Sequence, residues 1–503
     1  MEAKAPSQAA GQQTSGLPEF YLPPCHRGEK YWFVRKSTDS VSGKFSKIIG
    51  RDGGPSNEEA LSKVMHECSE HVHKSLGKIS LNGLFAAIKW MEKSGRGFKF
   101  YESILPKIVT WATDASEVRK MRILKAETDV SCTISTRQAR HMLALAFFLA
   151  LPDGDEEGRL LGSLKFHLIY AHPGAEGIER TKCLLNYFYH EAKGTYPETE
   201  EITYERRTLP ESERVDWSKS TKTLNEAKFS QMHRIEDMES GAEGIVDFAN
   251  KRLQIFQMIE SCTQEEVMFS CRPVLKLSML ICPMLGEEEV ALMRGARPYS
   301  EYTGYLNTFK FLGDSPYLIQ YGKEIKTRGG GGKGGGGVAE EKSGGEVEGR
   351  SAEILLPPPE VIAIDAVVNH GMKQFKRRSL NRDLNKAWLG FGGGFESKRL
   401  TGPISTGMWG CGVFMGDPLL KYLQQAMAAA QVDRKLHFST FGNKKCETQF
   451  TRMHRDLLKA KVTVGQLYEC IVAFWKPRNL DELPIFAASR GSLEGHLRKH
   501  LNL

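Results

Sequence analysis

Between about residues 57 and 195 the apolar residues recur at i, i+3, i+4 and i+7, the spacing of one buried helix face. NEEALSKVMHECSEHVHKSL, LFAAIKWMEKS, YESILPKIVTWAT and TRQARHMLALAFFLAL all follow it, which predicts a helical domain over 57–215. Beyond about 215 the pattern changes. GIVDFAN, YLNTFKFLG, EVIAIDAVV and LHFSTFG are short runs rich in β-branched and aromatic residues and read as strands. DLNKAWLGF, PLLKYLQQAMAAAQ and TQFTRMHRDLLKAK return to helical spacing. Strands alternating with helices predict a layered α/β domain over 216–503, with ligand loops at strand ends.

Two stretches interrupt this pattern. Residues 1 to about 20, rich in Ala, Gln, Gly, Ser and Pro, lack periodicity, so 1–56 is expected to be a largely disordered arm. Residues 327–350 are Gly-rich and charged and read as a flexible insert; a phosphate loop is disfavoured because no Ser or Thr follows Lys333. The most apolar stretch, Met142 to Pro152, is far short of the ~20 residues that span a bilayer and predicts a buried helix.

Composition adds a bias toward anionic partners, since the net charge is +8. Charge alone does not separate nucleic acid from other polyanions. The ten cysteines form no regular framework and the N-terminus lacks a secretion pattern, so a reducing compartment is expected. His66, Cys68, His71 and His73 are crowded, but on a helix Cys68 leaves the histidine face, and a histidine-bearing surface is the better reading. KQFKRRSLNRDLNK, from Lys373, is basic and helically spaced, and reads as a solvated helix face.

Gln264-Glu265-Glu266 follows Val246-Asp247-Phe248-Ala249-Asn250 at a short distance. Adjacent side chains point in different directions, so the two glutamates cannot do the same job. One suits an acid and the other a positioner. The two carboxylates of ordinary glycosidases instead flank the scissile bond from opposite sides.

These segments, in order with SCTQEEVMF, YSEYTGY, VIAIDAVV, LNKAWLGF, ISTGMWGCGVFMGD, FSTFG and KVTVGQLY, resemble the poly(ADP-ribose) glycohydrolases. STRQARHMLALAFFLALP, TKCLLNYF and ITYERRTLP resemble the helical accessory domain of that family, so the likeness covers roughly 125–475. It implies an α/β fold, a macrodomain-like mixed sheet flanked by helices, preceded by an all-helical accessory domain. It also implies hydrolysis of the ribose–ribose O-glycosidic bond of poly(ADP-ribose), free or on modified proteins, by a monomer in the nucleus or cytoplasm, within the DNA damage response. No cofactor, metal, membrane or direct nucleic-acid contact is expected.

By the same resemblance Glu266 is the general acid, protonated near neutral pH through burial and the neighbouring Glu265 carboxylate. Glu265 would hold ribose hydroxyls with Asp247, Asn250 and Gln264, while Tyr305 and Phe441 pack at the adenine and Glu236 reaches its amino group. The family carries Gly-Gly-Gly a few residues before Gln-Glu-Glu, where this chain has Gln254, Ile255 and Phe256. Glycines there let backbone N–H groups approach a diphosphate. Met408 replaces a usual Asn and Met415 a usual Gly, so the expected enzyme has reduced activity. The alternative is an impaired ADP-ribose reader or scaffold derived from it.

Overall fold

A computed structural model of the chain describes residues 19–21, 41–72, 77, 79–114, 120–127, 129–151, 164–172, 174–196, 200–237, 241–253, 262–318, 357–368, 371–394, 400–475 and 492–503. The Gly-rich insert 327–350 and the loop positions Gln254, Ile255 and Phe256 lie outside the described residues.

The amino-terminal half is built from α1 (Val41–Ile49), α2 (Glu58–Val72), α3 (Asn82–Lys93), α4 (Leu105–Thr113), α5 (Thr136–Phe147), α6 (Phe166–Ala171) and α7 (Ala175–Ala192). α5 starts where Ser135 Oγ accepts from Gln138 N at 3.1 Å, and every residue from Gln138 to Phe147 is buried. The expected arm is corrected at α1. Phe45, Ile48 and Ile49, at helical spacing, are buried in the core, and β1 (Glu19–Tyr21) pairs antiparallel with β2 (Lys120–Arg122).

A second correction concerns the all-helical reading of 57–215. β3 (Val130–Ser135) and β4 (Glu201–Thr208) lie in that stretch and belong to the main sheet. VSCTIS alternates buried and exposed positions, the period of a half-covered strand.

That sheet has eight strands in the order β3-β4-β7-β10-β6-β11-β12-β5, with β5 (Ala227–Ser230), β6 (Gly244–Asp247), β7 (Glu289–Arg294), β10 (Glu360–Ala363), β11 (Ile404–Gly407) and β12 (Leu436–Ser439). β10, β6, β11, β12 and β5 run parallel to one another, whereas β7, β4 and β3 join antiparallel. A separate hairpin pairs β8 (Ser300–Thr303) with β9 (Lys310–Asp314). The strand expected at YLNTFKFLG is therefore shortened, because Leu306–Thr308 form a 3-10 turn.

Alternation along the central strands divides the core in two. Ile245, Val361 and Ala363 face one apolar cluster, shared with the amino-terminal helices, α8 (Gln264–Cys271) and α9 (Ser278–Ile281). Val246, Ile362 and Ile364 face the other, built on α10 (Arg377–Gly390), α11 (Pro418–Gln431), α12 (Lys444–Lys459), α13 (Val464–Trp475) and α14 (Leu493–Leu501). Helices thus cover both faces of the sheet, which leaves the carboxyl ends of the parallel strands for a ligand. Among the described residues no helix is long and apolar enough to cross a membrane.

Candidate active site

A cavity of about 440 Å³ opens at those strand ends, within the ~300–1,000 Å³ range of ligand pockets. One wall is the link from β6 to α8. Gln264 ties the two together, since its Oε1 accepts from Phe248 N at 2.8 Å and its Nε2 donates to Val246 O at 3.3 Å. Asn250 N donates to Glu265 Oε2 at 3.3 Å, which fixes the loop and the carboxylate against each other. Asn250, Gln264 and Glu265 all line the cavity.

The two glutamates are placed differently. Glu265 reaches the wall, whereas Glu266, fully buried, is turned onto the first turn of its own helix. Its Oε2 accepts from Thr263 N at 2.9 Å and also from the Thr263 hydroxyl. This is a capping box, with Thr263 as N-cap and Glu266 three residues on. Asp247, at the end of β6, is also fully buried, and neither of its carboxylate oxygens has a hydrogen-bond partner among the described residues. Burial first, and then the negative neighbours Glu266 and Glu236, hold its carboxyl well above the usual range. Sharing negative charge in a dry site favours keeping a proton there, as acid catalysis requires.

Another part of the wall is aromatic. Tyr305 and Phe441 meet edge to face with ring centroids 4.7 Å apart, and both line the cavity. Tyr305 OH lies 2.9 Å from Tyr302 OH, which donates to Glu236 Oε2 at 2.8 Å. Burial raises the Glu236 carboxyl, and the Arg272 guanidinium opposes that shift. Tyr302 and Phe438 are core residues.

The end of β11 and the loop after it supply Gly407, Met408, Trp409, Gly410 and Val413 to the wall. Met408 is half-buried and brings an apolar thioether. Met415 sits at φ 56°, in the left-handed region that favours glycine. Beneath the loop lies a buried ion network. Lys386 and Arg382 donate to Asp365, Arg382 and Lys421 donate to Asp383, and Lys421 Nζ stands 5.0 Å from the Trp409 ring centre. The basic stripe from Lys373 is therefore not wholly a solvated face, because Arg382 and Lys386 point inward.

The structure thus places Asn250, Gln264, Glu265, Tyr305 and Phe441 on the wall of one cavity, whereas Asp247 and Glu266 are fully buried and not on the wall, with Glu236 bonded to Tyr302. His66 is held away from all of them, its ring nitrogens 2.7 Å from Ser62 O and 3.0 Å from Ile79 O. Sequence reasoning missed Ile235, Phe248 and Leu306 on the wall, and Thr263. The three apolar residues carry no chemical signal, but Thr-x-x-Glu is a readable capping box.

Fold and cavity together define a macrodomain-type protein carrying a buried acid pair. Two family models match it, "Poly (ADP-ribose) glycohydrolase (PARG), helical domain" over residues 91–206 and "Poly (ADP-ribose) glycohydrolase (PARG), Macro domain fold" over residues 214–448. The chain is 27% identical over 406 residues to poly(ADP-ribose) glycohydrolase 2 of Caenorhabditis elegans, covering 77% of this chain and 74% of that protein. It is 28% identical to poly(ADP-ribose) glycohydrolase 1 of the same organism, over 76% of this chain and 46% of that protein. Poly(ADP-ribose) glycohydrolase 1 of Arabidopsis thaliana is 25% identical over 70% of this chain and 71% of its own length. The chain belongs to the poly(ADP-ribose) glycohydrolase family, a family of glycosidases.

Proposed function

We propose that this chain hydrolyses the ribose–ribose O-glycosidic bonds of poly(ADP-ribose), free or on modified proteins, in the nucleus or cytoplasm, and releases ADP-ribose. One observation carries the reading: a single cavity is lined both by the Glu265 carboxyl and by the Tyr305–Phe441 pair, with Glu266 and Asp247 buried next to wall residues in the chain. An adenine fits against the aromatic pair, and a ribose fits at Asn250 and Glu265. Glu266 then protonates the departing ribose oxygen and afterwards takes a proton from the attacking water.

A second reading, an ADP-ribose reader without turnover, is favoured by Met408 and by the strained Met415 in the loop expected to receive the diphosphate. The two are separated by incubating purified protein with poly(ADP-ribose), with and without excess ADP-ribose. The hydrolase reading expects chain shortening that excess ADP-ribose suppresses. Intact polymer together with measurable ADP-ribose binding would leave the reader.

A further inference from the structure

A second cavity, of about 350 Å³, adjoins the first, and Ser439 lines both. Its floor is the sheet where β11, β12 and β5 lie side by side. Register puts Ser405, His437 and Lys228 in one row across those strands, and Ser439 beside Ser230 in the next. Alternate residues of a strand share a face, so these polar side chains stand together. Phe229 and Phe438, between them in the chain, pack into the apolar cluster on the other side.

Some of these groups are spent on the wall itself. Ser439 Oγ donates to His233 O and Ser405 Oγ to Ile235 O, each at 2.6 Å, which straps 233–235 across the rows. His233 Nδ1 lies 2.9 Å from Ser230 Oγ. Arg234 donates to Asp237, the one carboxylate on this wall, at 2.7 Å and also pairs with Glu301. Lys228 and His437 are left to face the cavity. Lys228 is exposed and has no ion-pair partner among the described residues. His437 Nδ1 is buried and without a hydrogen-bond partner among the described residues. Burial first, and then Lys228 and Lys435, hold its ring below the usual value, so the imidazole is neutral and can carry its one proton on that nitrogen. A cation beside an N–H donor suits a phosphate oxygen.

The two cavities meet at the aromatic wall. Phe441 N donates to Ser439 Oγ at 3.2 Å. Arg234 stands 4.4 Å from the ring centre of Tyr302, whose hydroxyl is 2.9 Å from Tyr305 OH. In poly(ADP-ribose) each adenosine carries the next ribose on its 2′-oxygen, and that ribose carries the next diphosphate. An adenosine held by Tyr305 and Phe441 therefore sends the chain past Ser439. We propose that the second cavity is a subsite for the diphosphate that follows on the adenosine 2′-oxygen, with Lys228 and His437 as its binding groups. It allows the first cavity to hold a unit inside a chain as well as one at its end. The proposal rests on the reading that Tyr305 and Phe441 hold adenine.

The test compares ADP-ribose with ADP-ribose phosphorylated on its adenosine 2′-oxygen, by titration calorimetry, in wild type, Lys228→Ala, His437→Leu, the double variant and Lys228→Arg. One charge-assisted contact at a half-open site is worth about tenfold, so wild type should bind the 2′-phosphate about tenfold more tightly, and less so as salt rises. Each single loss should shrink that preference, the double variant should abolish it and arginine should keep it, with affinity for ADP-ribose itself unchanged throughout. On poly(ADP-ribose) the double variant should release about tenfold fewer fragments longer than one unit, relative to ADP-ribose. In a chain that binds without turnover, the same contrast is read as weaker capture of polymer by the double variant. Equal affinity for the two ligands in wild type, or a preference kept by the double variant, would overturn the subsite and leave the proposed function standing. A lost preference with unchanged fragments or capture would overturn the polymer as occupant, in favour of a nucleotide bearing a free 2′-phosphate. No binding of ADP-ribose at all would sink the reading of the first cavity and the subsite with it.

Discussion

Replacing Asp247 by Asn should stabilise the fold near neutral pH while impairing the site. Asp247 is fully buried, neither oxygen has a partner among the described residues, and its carboxyl is held well above the usual range. The folded state therefore keeps a proton that the unfolded chain releases once pH passes the ordinary value of 3.8. A raised folded value means that stability is fully present below 3.8 and is lost as pH climbs toward the folded value. The loss is at most about 1.4 kcal/mol per pH unit. Asparagine has nearly the same shape and no proton to hold, so it removes this slope. The gain is expected to be close to none at pH 4 and to grow with pH toward the folded value, by at most about 1.4 kcal/mol per pH unit. Chemical denaturation of both proteins across that range measures it. Equal slopes for both proteins, or an asparagine variant less stable at pH 7, would refute the reasoning.

Other consequences follow from the same geometry. Phe441→Ala removes one wall of the adenine end from a half-exposed position, so ADP-ribose should bind about 5- to 150-fold more weakly, by titration calorimetry, with little change in melting temperature. Glu289→Gln leaves the fully buried Arg206, which also bonds Pro283 O and Met284 O, without its carboxylate, and should cost roughly 3–5 kcal/mol in denaturant unfolding. The Glu289 carboxyl is opposed by burial but held below its ordinary 4.5 by Arg206, so the stability that pair gives is present above 4.5 and lost on further acidification. Glycines at 254, 255 and 256 should raise kcat/KM on poly(ADP-ribose) by roughly tenfold or more, since one oxyanion-type donor is worth about 10²–10³. An unchanged rate would locate any handicap elsewhere.

The sequence displays most of what periodicity can encode. α2 to α5 and the strands β6, β10 and β12 stand where apolar spacing puts them, and Gln264, Glu265 and Glu266 share one short segment with a strand end nearby. β3 and β4 were hidden because strands of six and eight residues between strong helical patterns are easily absorbed into them, and their role is set by pairing: β3 with β4, and β4 with β7 far along the chain. α1 was hidden by its Gly and charge punctuation. The Asp365–Lys386–Arg382–Asp383–Lys421 network was illegible for another reason. Charged residues at helical spacing look solvated, and what reverses that reading is the partners supplied by Asp365, just after β10, and by Lys421 of α11. The direction of Glu266 likewise depends on side-chain geometry, although its capping partner is visible three residues before it.

The central claim, that one cavity binds ADP-ribose and cleaves its glycosidic bond with Glu266, is tested most directly by single-turnover release of ADP-ribose from poly(ADP-ribose), wild type beside Glu266→Gln. The account predicts release by wild type and a loss of at least a hundredfold in the variant, with ADP-ribose binding retained in both. Equal release by the two proteins, or none by a wild type that binds ADP-ribose, would contradict it.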